Sequence, residues 1–127
     1  MIAKKRDVAK IVLLDPKKRV LLQLREKDQS NAGTWSLFGG GIEAGETPRE
    51  AVKREVQEEV GYTLKQVKKL CETTTPDGKR FWYVGHIDAP LSKLQLTEGA
   101  DFQFFDAKEL KNIRLNPRIK EILKKIP

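Results

Sequence analysis

The segment from Thr47 to Gly61 constrains the fold more than any other, because it predicts a helix whose two ends are both marked. Thr47 suits the N-cap, Pro48 the first helical position and Glu50 the third, and together they make a capping box. Gly61 suits the left-handed residue that follows the end of a helix. The sequence therefore predicts a helix from about Pro48 to Val60.

This helix has an apolar face and an acidic face. The apolar face is expected to pack in the core and consists of three valines spaced four residues apart, Val52, Val56 and Val60. The acidic face holds Glu55, Glu58 and Glu59, which lie three and four residues apart and project from one side. Such oxygens suit Mg²⁺ or Mn²⁺, which share carboxylate ligands with phosphates. The alternative is an acidic surface balanced by neighbouring lysines.

Apolar, β-branched and aromatic runs on both sides of this helix predict strands over 7–14, 19–25, 34–38, 64–74, 80–87 and 102–105. The glycines at 39–41 are expected to form a flexible backbone segment. A helical turn is predicted over 106–111 and a last helix over 117–126. Strands mixed with helices over 127 residues indicate one domain, 1–127, of the α/β class.

Composition excludes several classes of protein. Hydrophobic residues make up 39% and charged residues 34%, as expected of a soluble globular domain. Cys71 is the only cysteine, which excludes an internal disulfide. No apolar run is long enough for a membrane span or a secretory signal, so a cytoplasmic location is expected. The net charge of +7 suits an anionic partner such as a nucleotide or RNA, although much of it reads as solvated lysine.

From Gly40 the chain reads GGIEAGETPREAVKREVQEEVGY, which resembles the Nudix box of the MutT-like family. The box residues stand at the family's spacing and are Gly40, Glu46, Arg54, Glu55, Val56, Glu58, Glu59 and Gly61. Only Tyr62 departs from the pattern, being aromatic where an aliphatic residue is usual. The resemblance implies an α/β/α sandwich around a mixed central sheet.

Carried over by position, the resemblance makes Glu55, Glu58 and Glu59 ligands of Mg²⁺, with Mn²⁺ as a substitute. The carbonyl of Gly39 or Gly40 is implied to lie beside that ion.

Two further roles follow from the same likeness. Glu46 and Arg54 are implied to form a buried pair that fastens the loop to the helix, a role suited to the forked arginine side chain. Glu98 is a candidate outer ligand or general base, although its surroundings also read as an ordinary polar loop.

Candidate contacts to the substrate are Arg25, Asn116 and Phe38. Arg25 reads equally well as a surface arginine and Asn116 as a helix cap, while Phe38 stands where many relatives have proline. An aromatic group, Trp35, Trp82 and Tyr83, is favoured as core over base stacking. His86 has no partner histidine for a zinc site and is not expected to be catalytic.

The resemblance implies an Mg²⁺-dependent hydrolase of phosphoric anhydride bonds. The short chain and its MutT-like flanks favour a nucleoside triphosphate pyrophosphohydrolase, with oxidised purine dNTPs among the candidate substrates. ADP-ribose or nucleotide-sugar hydrolysis and removal of pyrophosphate from RNA 5′ ends are alternatives. A non-catalytic nucleotide or RNA sensor is less favoured, because such a protein is expected to lose box glutamates that this chain keeps. The sequence carries no signal for an oligomeric state.

Overall fold

The computed structural model describes residues 6–25, 33–97 and 101–126. The strands in chain order are β1 (Val8–Leu14), β2 (Val20–Leu24), β3 (Trp35–Ser36), β4 (Phe38–Gly41), β5 (Val67–Thr75), β6 (Gly78–His86) and β7 (Asp101–Phe105). The α-helices are α1 (Pro48–Val60), between β4 and β5, and α2 (Ala107–Leu110) and α3 (Pro117–Leu123), after β7. A short 3-10 helix at Leu91–Lys93, which the sequence reading did not predict, precedes β7.

The seven strands form one mixed sheet. The hydrogen-bonded order is β3-β2-β1-β6-β5, with β4 also paired to β1 and β7 to β2. Strand β1 runs parallel to β6, and the other pairs are antiparallel. The predicted α/β class and mixed central sheet are therefore confirmed.

The two faces of β1 belong to two different cores, because successive side chains of a strand point to opposite sides. Ala9, Ile11 and Leu13 pack in the core that contains the valines of α1. Val12 and Leu14 pack in the other core, which includes residues of α3. The sheet thus lies between α1 and α3. The alternation of side chains along β1 places Lys10 on the α3 face of the sheet. The longest described helix has 13 residues, and none is long and apolar enough to cross a membrane.

Helix α1 has the predicted boundaries. The Thr47 hydroxyl accepts a hydrogen bond from the Glu50 N–H, and the Glu50 carboxylate accepts one from the Thr47 N–H, which completes the capping box. Gly61 has φ of 69° and ends the helix in the left-handed region. Both ends depend on contacts between residues close in sequence, which explains why sequence patterns located them.

The glycines at 39–41 are not a flexible segment, which corrects the sequence prediction. They belong to β4, where Gly39, Gly40 and Gly41 pair with Lys10, Ala9 and Val8 of β1. Gly39 has φ of 134°, and a Cβ atom there would lie 2.2 Å from the Ala9 carbonyl oxygen. Glycine is therefore required at this position for the close approach of two strands.

Candidate active site

Two glutamates of α1 lie against the glycine strand. The Glu59 side chain is buried, with 7% of the residue exposed, and its Oε2 accepts a hydrogen bond of 3.3 Å from the Gly39 N–H. A Cβ atom on Gly40 would lie 2.7 Å from Oε1 of Glu55. The absence of side chains on β4 therefore leaves the space that these two carboxyl groups occupy.

The environment of Glu59 opposes its ionisation. Burial raises the pKa of Glu59 to about 8, and the negative charge of Glu55 and a hydrogen bond between the two carboxyl groups act in the same direction. The positive charge of Lys10 and the Gly39 N–H oppose this rise in pKa only in part. Two acids held together in this way need either a shared proton or a cation between them.

Arg54 connects the acidic face to the loop before α1. Its Nε and Nη2 donate to the two oxygens of Glu46 at 2.7 and 3.0 Å, and Nη2 also donates to the Gly41 carbonyl at 3.2 Å. Its Nη1 donates to Glu55 at 3.0 Å and to Glu58 at 3.2 Å. All five N–H groups of the guanidinium are thereby used. The hydrogen bond to Glu46 raises the pKa of Arg54 further, and the same bond lowers the pKa of Glu46.

The described residues fit a divalent cation in part. Glu55 and Glu59 present adjacent oxygens that repel one another, and Glu58 approaches the same Arg54 nitrogen as Glu55. The Glu58 side chain is 59% exposed, and no three acidic, histidine or cysteine side chains among the described residues converge as a preformed metal site. The Glu98 candidate lies outside the described residues. The donor set is that of a hard cation with oxygen ligands.

A cavity of about 290 Å³ opens on the α3 face of the sheet. Its polar and aromatic lining includes Lys10, Arg25, Arg80, Trp82, Asn116 and Arg118. Lys10 links this cavity to the glutamates, because its charge interacts with Glu59 and Glu55 as well as with Arg25 and Arg80. Burial lowers the pKa of Lys10, and the attraction of Glu59 acts in the opposite direction.

The structure separates the three candidates for substrate contact. Arg25 and Asn116 line the same cavity, although Asn116 also caps α3 by accepting a 2.9 Å hydrogen bond from the Arg118 N–H. The prediction that Phe38 contacts the substrate is wrong. Its side chain is fully buried in the core beneath α1, so it is not available to a substrate.

Trp82 and Tyr83 each have 4% exposure, which agrees with the favoured core assignment, and Trp82 also borders the cavity. The Trp82 indole N–H donates to the Thr73 hydroxyl at 2.9 Å. His86 is exposed and is the last residue of β6.

Sequence reasoning missed Lys10, Arg80 and Arg118 as cavity residues. The available signal was Lys10, a charged residue inside the otherwise apolar run of β1 from Val8 to Leu14. Arg80 and Arg118 gave no local signal, because they lie on β6 and α3 and meet Lys10 only through the fold.

Comparison with known proteins places these features in a family. The model of the NUDIX domain matches residues 4–126. ADP-ribose pyrophosphatase of Methanocaldococcus jannaschii is 34% identical over 125 residues, which cover 91% of this chain and 72% of that protein. The 8-oxo-dGTP diphosphatase of Escherichia coli is 40% identical over 60 residues, 47% of this chain and 46% of that protein.

The fold also resembles the folds of solved structures. The crystal structure of a MutT NUDIX hydrolase from Burkholderia pseudomallei has a TM-score of 0.79 at 23% identity, covering 98% of this chain and all of that one. In six further curated relatives the match spans between 16% and 65% of the relative's length. The likeness in sequence is therefore concentrated in part of those proteins.

Proposed function

Because the chain belongs to the NUDIX domain family, we propose that it is a divalent-metal-dependent hydrolase that cleaves the diphosphate linkage of a nucleotide-type substrate. The observation that carries the proposal is the Glu55–Glu59 pair, packed against Gly39 and Gly40. A pair of acids that the fold forces together gains stability when a cation neutralises it. The same cation can hold the oxygens of a diphosphate.

Glu55 and Glu59 are the proposed inner ligands, with Glu58 and a carbonyl of Gly39 or Gly40 as further donors. Mg²⁺ or Mn²⁺ held by these ligands would supply positive charge that offsets the diphosphate, and would lower the pKa of the attacking water. The Glu55 carboxylate, or Glu98 by family likeness, accepts the proton of that water. The water oxygen bonds to phosphorus while the bond from phosphorus to the bridging oxygen breaks, and that oxygen keeps the electron pair and leaves as part of the second phosphate product.

Arg54 is a positioning residue in this scheme. Its Nε and Nη2 donate to Glu46, and Nη2 also donates to the Gly41 carbonyl. Its Nη1 donates to Glu55 and Glu58 and so orients both carboxylates. Side chains that orient metal ligands in this way restrict the geometry of the site without touching the substrate.

We propose a nucleoside triphosphate as the first substrate class, because the 8-oxo-dGTP diphosphatase of Escherichia coli is 40% identical over 60 residues of this chain. ADP-ribose is the second candidate, because the relative named ADP-ribose pyrophosphatase matches 91% of this chain. Both substrates carry the same scissile linkage and differ in the group beyond it.

The test is a panel of normal and oxidised dNTPs, ADP-ribose, nucleotide sugars, dinucleoside polyphosphates and capped RNA. Release of phosphate, pyrophosphate or nucleoside monophosphate is measured with Mg²⁺ and with EDTA. We expect Mg²⁺-dependent turnover that falls more than about 100-fold in Glu59→Gln. Glu121→Gln, the same change on the exposed surface of α3, serves as the matched control. Unchanged turnover in folded Glu59→Gln would remove the catalytic assignment, and no turnover of any substrate would favour a nucleotide sensor.

A further inference from the structure

The cavity on the α3 face is lined by several positive charges. Lys10, Arg80 and Arg118 line it together with Arg25, and none of its described lining residues is acidic. Lys10 comes from the centre of β1, Arg80 from β6 and Arg118 from α3. Three separate elements therefore direct cations toward one space of about 290 Å³.

The same region contains polar atoms with unmet hydrogen-bonding capacity. Nε of Arg80 and the Ser36 hydroxyl are buried, and neither has a hydrogen-bond partner among the described residues. Both residues line the cavity. A buried donor without a partner destabilises the fold, so a pair of them at one cavity indicates that a ligand with acceptor oxygens completes the site.

We propose that this cavity binds a phosphate group that the substrate carries on the nucleoside side of its scissile diphosphate, in addition to the 5′-phosphates. The inference rests on the proposed function for the position of the diphosphate, which lies at Glu55 and Glu59. Lys10 of the cavity pairs with Gly39 in the sheet, and the Gly39 N–H donates to Glu59 at 3.3 Å, so the cavity is adjacent to the proposed position of the reacting linkage.

The charge of the cavity favours phosphate over a neutral base. A purine ring offers acceptor atoms to arginine, but it supplies no counter-charge to Arg80 and Arg118 when it excludes water. A phosphate supplies negative charge and several acceptor oxygens, and arginine binds it through two parallel hydrogen bonds. Trp82 adds an apolar border against which an attached ribose can pack.

Two sources present this chemistry: a phosphate monoester on a small nucleotide, or the first internucleotide phosphodiester of a 5′-triphosphorylated oligonucleotide. The substrates that separate them are adenosine 5′-triphosphate, its 3′-phosphorylated form, and a 5′-triphosphorylated dinucleotide. We expect kcat/KM for at least one phosphate-bearing substrate to exceed that for adenosine 5′-triphosphate by about tenfold. A gain for the dinucleotide alone identifies the phosphodiester as the source. No gain for either substrate overturns the proposal.

The variant that tests the cavity is Arg118→Gln. The Arg118 side chain is exposed and makes no hydrogen bond or ion pair with the described residues, so its loss should not disturb the fold. We expect the variant to reduce the preference for the additional phosphate to about unity. Lys68→Gln removes the same charge from exposed strand β5 and should leave the preference intact. Equal preferences in the two variants would show general attraction by net charge and would overturn the proposal.

A binding measurement without metal separates this inference from the proposed function. In EDTA, calorimetric titration compares adenosine 3′,5′-bisphosphate with adenosine 5′-monophosphate. We expect the bisphosphate to bind about tenfold more tightly to the wild type and to lose this advantage in Arg118→Gln. Absence of hydrolysis with this binding pattern intact would refute only the proposed function. Hydrolysis without the pattern and without a kinetic preference would refute only the phosphate site.

Discussion

Replacing Glu59 with glutamine should stabilise the metal-free protein at alkaline pH. The folded state raises the pKa of this carboxyl from 4.5 to about 8, chiefly through burial and then through Glu55. Between these two values the folded chain keeps a proton that the unfolded chain releases, so stability falls as the pH rises. Above about pH 8 the Glu59 carboxyl is ionised in both states, and the folded protein is destabilised by the full free energy of burying that charge. Glutamine has no charge to bury at any pH.

The size of the effect follows from the same pKa. A rise from 4.5 to about 8 corresponds to a ceiling of about 5 kcal/mol. The residual exposure of the site and relaxation of Glu55 reduce this figure, while the glutamine oxygen can still accept from the Gly39 N–H. We expect a gain of about 2 kcal/mol at pH 9, which is about 6–10 °C in Tm for a domain of this size. At pH 5 the difference should be close to zero.

Thermal unfolding followed by circular dichroism in EDTA at pH 5 and pH 9 measures the effect. Glu58→Gln is the control, because it makes the same change on the same helix at an exposed side chain and should alter stability by about 0.5 kcal/mol or less. Added Mg²⁺ should raise the Tm of the wild type more than that of Glu59→Gln. A variant that is destabilised at pH 9, or equally affected at both pH values, would refute the assignment of a strained carboxyl at Glu59.

Three other substitutions probe separate parts of the structure. Arg54→Lys replaces the fork by a single ammonium and should lower kcat/KM by about 10–100-fold with the fold intact; unchanged kinetics would contradict its positioning role. Gly40→Ala places a methyl group 2.7 Å from Glu55 and should weaken Mg²⁺ binding in a calorimetric titration; unaltered affinity would contradict the proposed ligand. Burial raises the pKa of Asp15, but the N–H groups of Arg19 and Lys17 and the Arg19 guanidinium outweigh it and hold that pKa below 3.8. Asp15→Asn should therefore cost about 1–2 kcal/mol in urea unfolding at pH 7 and less as the pH falls below 3.8, and an equal cost at pH 7 and pH 2 would count against this account.

Local sequence patterns are sufficient to define helix α1 and the order of its side chains. Its caps, Thr47 and Gly61, act on backbone groups within four residues, and the spacing of Glu55, Glu58 and Glu59 along a helix places them on one side. The Nudix box extends this local information, because its members lie within one loop and one helix. The partnership of Glu46 with Arg54 was implied for the same reason, and the structure places the two side chains in a forked pair.

The surroundings of that helix depend on contacts between residues far apart in the chain. The strand that Gly39 and Gly40 form, and the burial of Phe38, depend on pairing with β1, some thirty residues earlier in the chain. The cationic cavity depends on Lys10, Arg80 and Arg118, whose meeting requires the parallel register of β1 with β6 and the packing of α3 over the sheet. Local patterns report hydrogen bonds and periodicity over a few residues, whereas such contacts are set by how complete elements pack. The reacting linkage could therefore be inferred from sequence, while the phosphate site proposed beside it could be inferred only from the fold.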